Sequence, residues 1–303
     1  MKLLVTGAAR FDKEQLNMLS SLGIETVFQH DECAEPETDF SSVDAVICNG
    51  LFLYHGIDEF NNLKFVQLTS AGLDRVPVDR IKEKGIVLKN ARGVYSVPMA
   101  EYAVAGVLEL FKGLNGFYKN QKNHLWIKNR ELRDLSSSTV AVIGFGNVGY
   151  ECAKRFKSFD TRIIGVDVFK NDNPCDEFYL IKDIKTALNK ADIVVLTLPL
   201  TDETKGMFNR DLFCEFKENS VLVNISRGAV INETHLIEAL ERGKLGGAVL
   251  DVFEKEPLDE NSKLWDFDNV IITPHNSFVS PSNSKRLFDV VYKNLKDYLK
   301  GDK

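Results

Sequence analysis

The stretch STVAVIGFGNVGYECAKRF, residues 138–156, narrows the possible folds more than any other feature of the chain. An apolar run leads into three glycines at GxGxxG spacing, and a helix-forming segment follows at once. Each glycine has its own task in such a turn. Gly144 makes the tight strand-to-helix corner, Gly146 lets backbone approach a pyrophosphate, and Gly149 lets helix and strand pack closely. With Asn147 and Val148 between them opening the helix, the segment predicts a dinucleotide cradle. GxGxxG alone is a weak signal. Here a second apolar run, RIIGVD, ends in Asp167, eighteen residues beyond Gly149, where a carboxylate is placed to accept hydrogen bonds from adenosine ribose hydroxyls. That acid repels a 2′-phosphate and favours NAD over NADP, with Lys170 close enough to soften the preference.

In a chain built on this turn alone it sits near the N-terminus, whereas here 137 residues precede it. Those residues also alternate. KLLVTG, ETVFQ, AVICN, FVQLTS and IVLKN read as strands, with helices from about Lys13, near Asp58 and near Val78. SVPMAEYAVAGVLELFKGLNGFYKNQ predicts one long helix capped by Ser96. NHLWIKNRELRDLSSS is irregular, and its Leu125, Trp126 and Ile127 suit either a packing arm onto another subunit or an anchor on their own domain. From Thr139 the alternation restarts with TVAVIGFG, RIIGVD, DIVVLTLPL, SVLVNIS, GAVLDVF and VIITPH, with helices near Ile184 and from Glu233, and a final helix after Pro281. Apolar runs this continuous belong to parallel strands buried on both faces. The prediction is an α/β protein with two parallel sheets.

A length of 303 residues matches two domains, and 44% hydrophobic content suffices for their cores. The net charge of −6 is spread along the chain with no basic block, which argues against a nucleic-acid partner. Five cysteines, odd in number and without a CxxC pair, argue against a disulfide framework or a zinc site and fit a reducing cytoplasm. MKLLVTGAAR turns polar too soon for a signal peptide, and no apolar run is long enough to span a membrane.

Three polar residues stand just past apolar runs of the second half: Arg227 after VLVNIS, Glu256 after VLDVFEK and His275 after VIITP. In an open parallel sheet ligands bind beyond the carboxyl ends of the strands, so all three can converge on one crevice. Their chemistry suits hydride exchange at an oxygen-bearing carbon: a permanent cation for carboxylate and carbonyl, an imidazole for the hydroxyl proton, and a carboxylate to orient and charge that imidazole. Taken singly, each also has a plain structural role as a salt-bridge residue, a loop acid or a turn histidine. His30, His55, His124 and His235 show no metal-ligand spacing, and no metal site is expected. Phe278 either walls a substrate side-chain pocket or packs the hinge between domains.

The block NISRGAVINETHLIEALERGKLGGAVLDVFEKEPL followed by NVIITPH resembles the signature of the D-isomer-specific 2-hydroxyacid dehydrogenases, and LPLTDETKGMFN and SAGLDRVPV resemble further blocks of that family. The likeness runs from about Phe65 to Phe278. It implies two Rossmann-like or flavodoxin-like domains, with the NAD-binding domain (residues 96–278) inserted into the substrate domain (1–95 and 279–303). It places Arg227, Glu256 and His275 on the family's catalytic Arg, Glu and His. It further implies that Ala71 and Gly72 offer amides to the substrate carboxylate, that Asp251 lies near the nicotinamide carboxamide, and that the chain forms a homodimer. The implied reaction moves hydride from NADH to C2 of a small 2-keto acid while His275 gives its proton to the carbonyl oxygen. Narrower assignments are glyoxylate/hydroxypyruvate reductase and 3-phosphoglycerate dehydrogenase, the latter with Arg75 and Arg92 as candidate basic groups, and an NAD(H)-sensing binding protein is a less favoured one. The chain departs from the family in two turns, with LSSSTV before the first cofactor strand and Asp160-Thr161 before the second, where glycine is usual.

Overall fold

The structure is a computed structural model and describes residues 1–170 and 174–301. In chain order the elements are β1 (Lys2–Thr6), α1 (Lys13–Ser20), β2 (Glu25–Gln29), β3 (Ala45–Cys48), β4 (Phe65–Leu68), α2 (Val78–Glu83) and β5 (Val87–Lys89). There follow α3 (Ser96–Phe111), α4 (Leu114–Lys122), β6 (Thr139–Ile143), α5 (Asn147–Lys157), β7 (Arg162–Asp167), β8 (Glu177–Leu180), α6 (Ile184–Lys190) and β9 (Ile193–Leu196). The rest are α7 (Arg210–Cys214), β10 (Ser220–Asn224), α8 (Glu233–Glu241), β11 (Leu245–Leu250), β12 (Val270–Ile272) and α9 (Asn283–Leu299). They form two compact units. One comprises residues 1–95 and 280–303, and the other residues 96–279.

The first unit holds a parallel sheet of order β2-β1-β3-β4-β5, the flavodoxin-like arrangement. Adjacent residues of β1 show why its apolar run is continuous: Leu3 and Val5 enter one core and Leu4 the core on the opposite face. The first core is closed by α9, whose Leu287, Phe288, Val291 and Leu295 form an apolar stripe at helical spacing.

The second unit holds a seven-stranded parallel sheet of order β12-β11-β10-β9-β6-β7-β8, so the winding reverses between β6 and β9. Both faces are again covered. Ala141 and Ile143 of β6 belong to one core and Val140 and Val142 to the other, and β9 splits its residues in the same way. Among the described residues no helix is long and apolar enough to cross a membrane.

Four local features differ from the sequence reading. The long helix expected after residue 95 is two helices, because Gly113 adopts φ +59° between α3 and α4; apolar spacing continues through Leu114 and hides the break. Ser96 is the first helical residue rather than a flanking cap. The helix expected near Asp58 is a single 3₁₀ turn over Ile57–Glu59. Strand β8 and helix α7 are additions: β8 is a four-residue edge strand with no fully buried residue, and α7 is only five residues long. The segment containing Trp126 is irregular, as expected, and that side chain is 96% exposed beside exposed Leu125 and Ile127, so it is no anchor on its own domain.

The two turns lacking the usual glycine carry backbone strain. Ser137 has φ +69° and Asp160 has φ +59°, a region that costs an L-residue roughly 1–2 kcal/mol, less for Asp. Asp160→Gly relieves this at the cost of a freer unfolded chain, and a net gain of up to about 1 kcal/mol is expected, or a Tm rise of about 2–4 °C. Differential scanning calorimetry checks it, and a lowered Tm would show that the Asp160 side chain stabilises the turn.

Candidate active site

The carboxyl ends of neighbouring strands line up the candidate residues in one order across the second unit. His275 follows β12, Asp251 and Glu256 follow β11, Arg227 follows β10, the glycine turn follows β6 and Asp167 ends β7. The glycine turn lies where the winding reverses, the position at which open α/β sheets bind ligands.

The turn is fixed by backbone contacts. Gly144 has φ +93°. A Cβ on Gly149 would lie 2.1 Å from the Gly144 carbonyl oxygen, so only glycine lets α5 cross the turn this closely. Thr197 Oγ1 donates to the same carbonyl at 2.5 Å. Gly146 is different. Its backbone, φ −75° and ψ −161°, is open to any residue, and a Cβ there would meet nothing within 4 Å. Neither conformation nor internal packing explains that glycine, and the space beside it suits a pyrophosphate. Gly146 in the N-cap position of α5 has no side chain to cap it, and the amides and dipole at this helix end favour an anion. The Asp167 carboxylate accepts from Phe145 N at 2.5 Å and from Val168 N at 2.6 Å, which ties the tip of β7 to the turn. These residues fit a dinucleotide.

His275 and Glu256 meet. The imidazole Nδ1 lies 2.9 Å from Glu256 Oε2, and Phe253 N donates to Glu256 Oε1 at 3.2 Å, holding the carboxylate in place. With a proton on Nδ1 donated to the carboxylate, Nε2 is the atom free to exchange a proton with a substrate. Both side chains are about one-third exposed, at 34% and 38%. Phe278 packs edge-to-face on the His275 ring, with centroids 5.9 Å apart.

The Arg227 turn is built by Asn224, a fully buried residue at the end of β10. Its Oδ1 accepts from Ser226 N and Ser226 Oγ, and its Nδ2 donates to the Arg227 carbonyl. The guanidinium donates to the Ser226 carbonyl at 2.8 Å. The backbone at Gly228 passes so near Phe253 that a Cβ would fall 1.8 Å from its carbonyl carbon, bracing the Arg227 turn against the segment that leads to Glu256.

Asp251 is fully buried and hydrogen-bonded to the segment carrying His275. In the other unit, Ala71 and Gly72 follow β4. Their carbonyls accept from Asn90 Nδ2 and Ser70 Oγ, and among the described residues neither amide donates a hydrogen bond. Sequence reasoning missed Asn224, Thr273 and Tyr102. Asn224 and Thr273 each stand at the end of an apolar run, and a polar residue there was the available signal.

Residues 104–277 match the family model for the D-isomer specific 2-hydroxyacid dehydrogenase NAD binding domain. The chain is 31% identical over 259 residues to the glyoxylate reductase of Thermofilum pendens, covering 81% of this chain and 75% of that protein. It is 32% identical over 249 residues to the D-3-phosphoglycerate dehydrogenase of Methanocaldococcus jannaschii, matching 81% of this chain but only 47% of that longer protein. Among solved structures it is similar to a D-lactate dehydrogenase from Aquifex aeolicus complexed with NAD and lactic acid, with a TM-score of 0.81, 25% identity and coverage of 99% and 96% of the two chains. The chain belongs to the D-isomer specific 2-hydroxyacid dehydrogenase family. It is an oxidoreductase of the nicotinamide dinucleotide type.

Proposed function

We propose that this protein is an NAD-dependent D-2-hydroxyacid dehydrogenase that reduces a small 2-keto acid, with His275 as the proton donor. The observation that carries the assignment is the 2.9 Å pairing of His275 Nδ1 with a Glu256 carboxylate that is itself held by backbone, past the carboxyl ends of the strands of the sheet that also bears the glycine turn. The bound nicotinamide contributes the hydride. Glu256 orients the imidazole through Nδ1, so that Nε2 gives a proton to the carbonyl oxygen as the alcohol forms. Arg227 presents a permanent cation to the carbonyl and carboxylate oxygens. We assign the Ala71 and Gly72 amides to the substrate carboxylate, in keeping with the family resemblance, and Phe278 to the substrate side chain because it packs on the His275 ring.

Asp167 supports NAD over NADP, since its carboxylate stands at the tip of β7. The five free thiols are in keeping with a reducing cytoplasm. The test is NADH and NADPH consumption by the purified protein with glyoxylate, hydroxypyruvate, pyruvate, phosphohydroxypyruvate and a branched 2-keto acid. NADH-preferring turnover of one of the two- or three-carbon acids is expected. Tight NADH binding with no turnover of any acid would move the assignment to an NAD(H)-sensing binding protein.

The 96% exposure of Trp126, flanked by exposed Leu125 and Ile127, supports a homodimer in which this arm is covered by a second copy. Sedimentation equilibrium is expected to give twice the chain mass for the wild type and a shift toward monomer for Trp126→Ala. A monomeric wild type would remove the dimer from the assignment.

A further inference from the structure

His275 has φ +51°, a left-handed backbone that a non-glycine residue holds only when its surroundings impose it. What imposes it is Asp251. The His275 amide donates to the Asp251 carbonyl at 2.8 Å, and the next two amides turn onto the Asp251 carboxylate, Asn276 N to Oδ1 at 2.7 Å and Ser277 N to Oδ2 at 2.9 Å. Thr273 Oγ1 donates to Oδ1 at 2.6 Å from the other side of the turn. Residues 273–277 are thus wrapped around one carboxylate. Asp251 is wholly buried, and among the described residues its carboxylate oxygens are met by these hydrogen bonds and not by a cation.

A further link reaches α3. The Tyr102 hydroxyl is hydrogen-bonded to Thr273 Oγ1. Thr273 has one hydroxyl proton and directs it at Asp251, so the phenol must be the donor, and the chain runs from Tyr102 to Thr273 to Asp251. Burial, with a smaller contribution from the Asp251 charge, pushes the Tyr102 phenol up, which keeps it protonated and able to donate. Helix α3 therefore anchors a turn 171 residues away in sequence.

We propose that Tyr102, Thr273 and Asp251 are positioning residues for His275, holding its backbone in the left-handed conformation that sets the imidazole Nδ1 on Glu256. The proposal rests on the assignment of His275 as proton donor. A buried carboxylate without a cation is a costly way to close a turn. It is a suitable way to fix one imidazole, because misplacement of a reacting group by about 1 Å costs on the order of 100-fold in rate.

Asp251→Asn places an amide group opposite an N–H or O–H donor and can fail to fold, so the test uses Thr273→Val, Thr273→Ser and Tyr102→Phe. The first readout needs no substrate: the His275 Cε1 resonance in ¹³C-histidine-labelled protein, identified by its disappearance in His275→Ala. It is expected to move in Thr273→Val and to return in Thr273→Ser. The second is kinetic, with the fastest keto acid of the panel above. Thr273→Val is expected to lower kcat by about 10–100-fold while the NADH dissociation constant stays within about twofold, Thr273→Ser to recover most of the loss, and Tyr102→Phe to fall between. An unmoved His275 resonance, parallel loss of NADH affinity, or a Thr273→Ser variant as impaired as Thr273→Val would overturn the proposal. The two assignments fail separately. If His275→Ala retains wild-type turnover, the proton-donor assignment falls first; if His275→Ala is inactive and Thr273→Val is unchanged, only the positioning role falls.

Discussion

His275→Ala is expected to lose about 10²–10⁴-fold in kcat for keto-acid reduction and to bind NADH as the wild type does. The size follows from what general acid catalysis contributes when the acid lies within hydrogen-bond reach, about 3–5.5 kcal/mol of barrier. Intact cofactor binding follows from placement: His275 follows β12, at one edge of the sheet, whereas the glycine turn and Asp167 follow β6 and β7. Glu256→Gln is the companion variant. The amide can still accept from Nδ1 but, being neutral, makes a weaker hydrogen bond than a carboxylate, so the imidazole is held less firmly and kcat is expected to fall by roughly tenfold. A Glu256→Gln variant with the wild-type kcat would show that the charge on Glu256 is not needed to hold the imidazole.

Gly149→Ala is expected to impair the protein by a different route. The added methyl would meet the Gly144 carbonyl oxygen at 2.1 Å and the Thr197 hydroxyl at 3.0 Å. A backbone oxygen cannot rotate away as a side chain can, so α5 must lift from the turn. Overpacking of this kind costs about 1–3 kcal/mol, and at about 2–4 °C per kcal/mol for a unit of this size the expected fall in Tm is roughly 5–10 °C. Lifting α5 also displaces the amides at its amino end, and NADH affinity is expected to drop by an order of magnitude or more. Calorimetry and titration of NADH fluorescence read the two effects separately. Weakened folding with unchanged NADH affinity would mean that the cradle does not depend on the α5 crossing.

The residues that were legible in the sequence are those whose role is expressed locally. Strands β1, β6, β9 and β10 announce themselves because burial on both faces demands unbroken apolar runs, and GxGxxG is visible because its three glycines stand within one six-residue turn, with the Gly149 approach to the Gly144 carbonyl inside it. Arg227, Glu256 and His275 could be picked out because each follows such a run. The break at Gly113 was not legible, since one left-handed residue interrupts a helix without disturbing its apolar periodicity. Strand β8 lacked the signature for the opposite reason, being an edge strand whose residues are half-exposed. The bond from Thr273 to Asp251 joins residues 22 apart and the bond from Tyr102 to Thr273 residues 171 apart, separations on which no periodic pattern bears. The candidate side chains were accessible to sequence reasoning, and which polar groups pair with one another across the fold was not.

The discontinuity of the first unit has a consequence for the order of events on the ribosome. Domains usually fold from the N-terminus as synthesis proceeds, but here strands β1 to β5 emerge without the helix that covers one face of their sheet. Leu3, Val5, Ile47 and Phe65 await Leu287, Phe288, Val291 and Leu295, and all of residues 96–279 must be made in between. At about 5–20 residues per second that interval is roughly 10–40 s. For that time the nascent chain carries an apolar sheet face covered only in part, by α1, while the inserted unit, whose residues form one continuous stretch of chain, can already be complete. The part translated first is therefore finished last, and it is the natural client for a holding chaperone during synthesis.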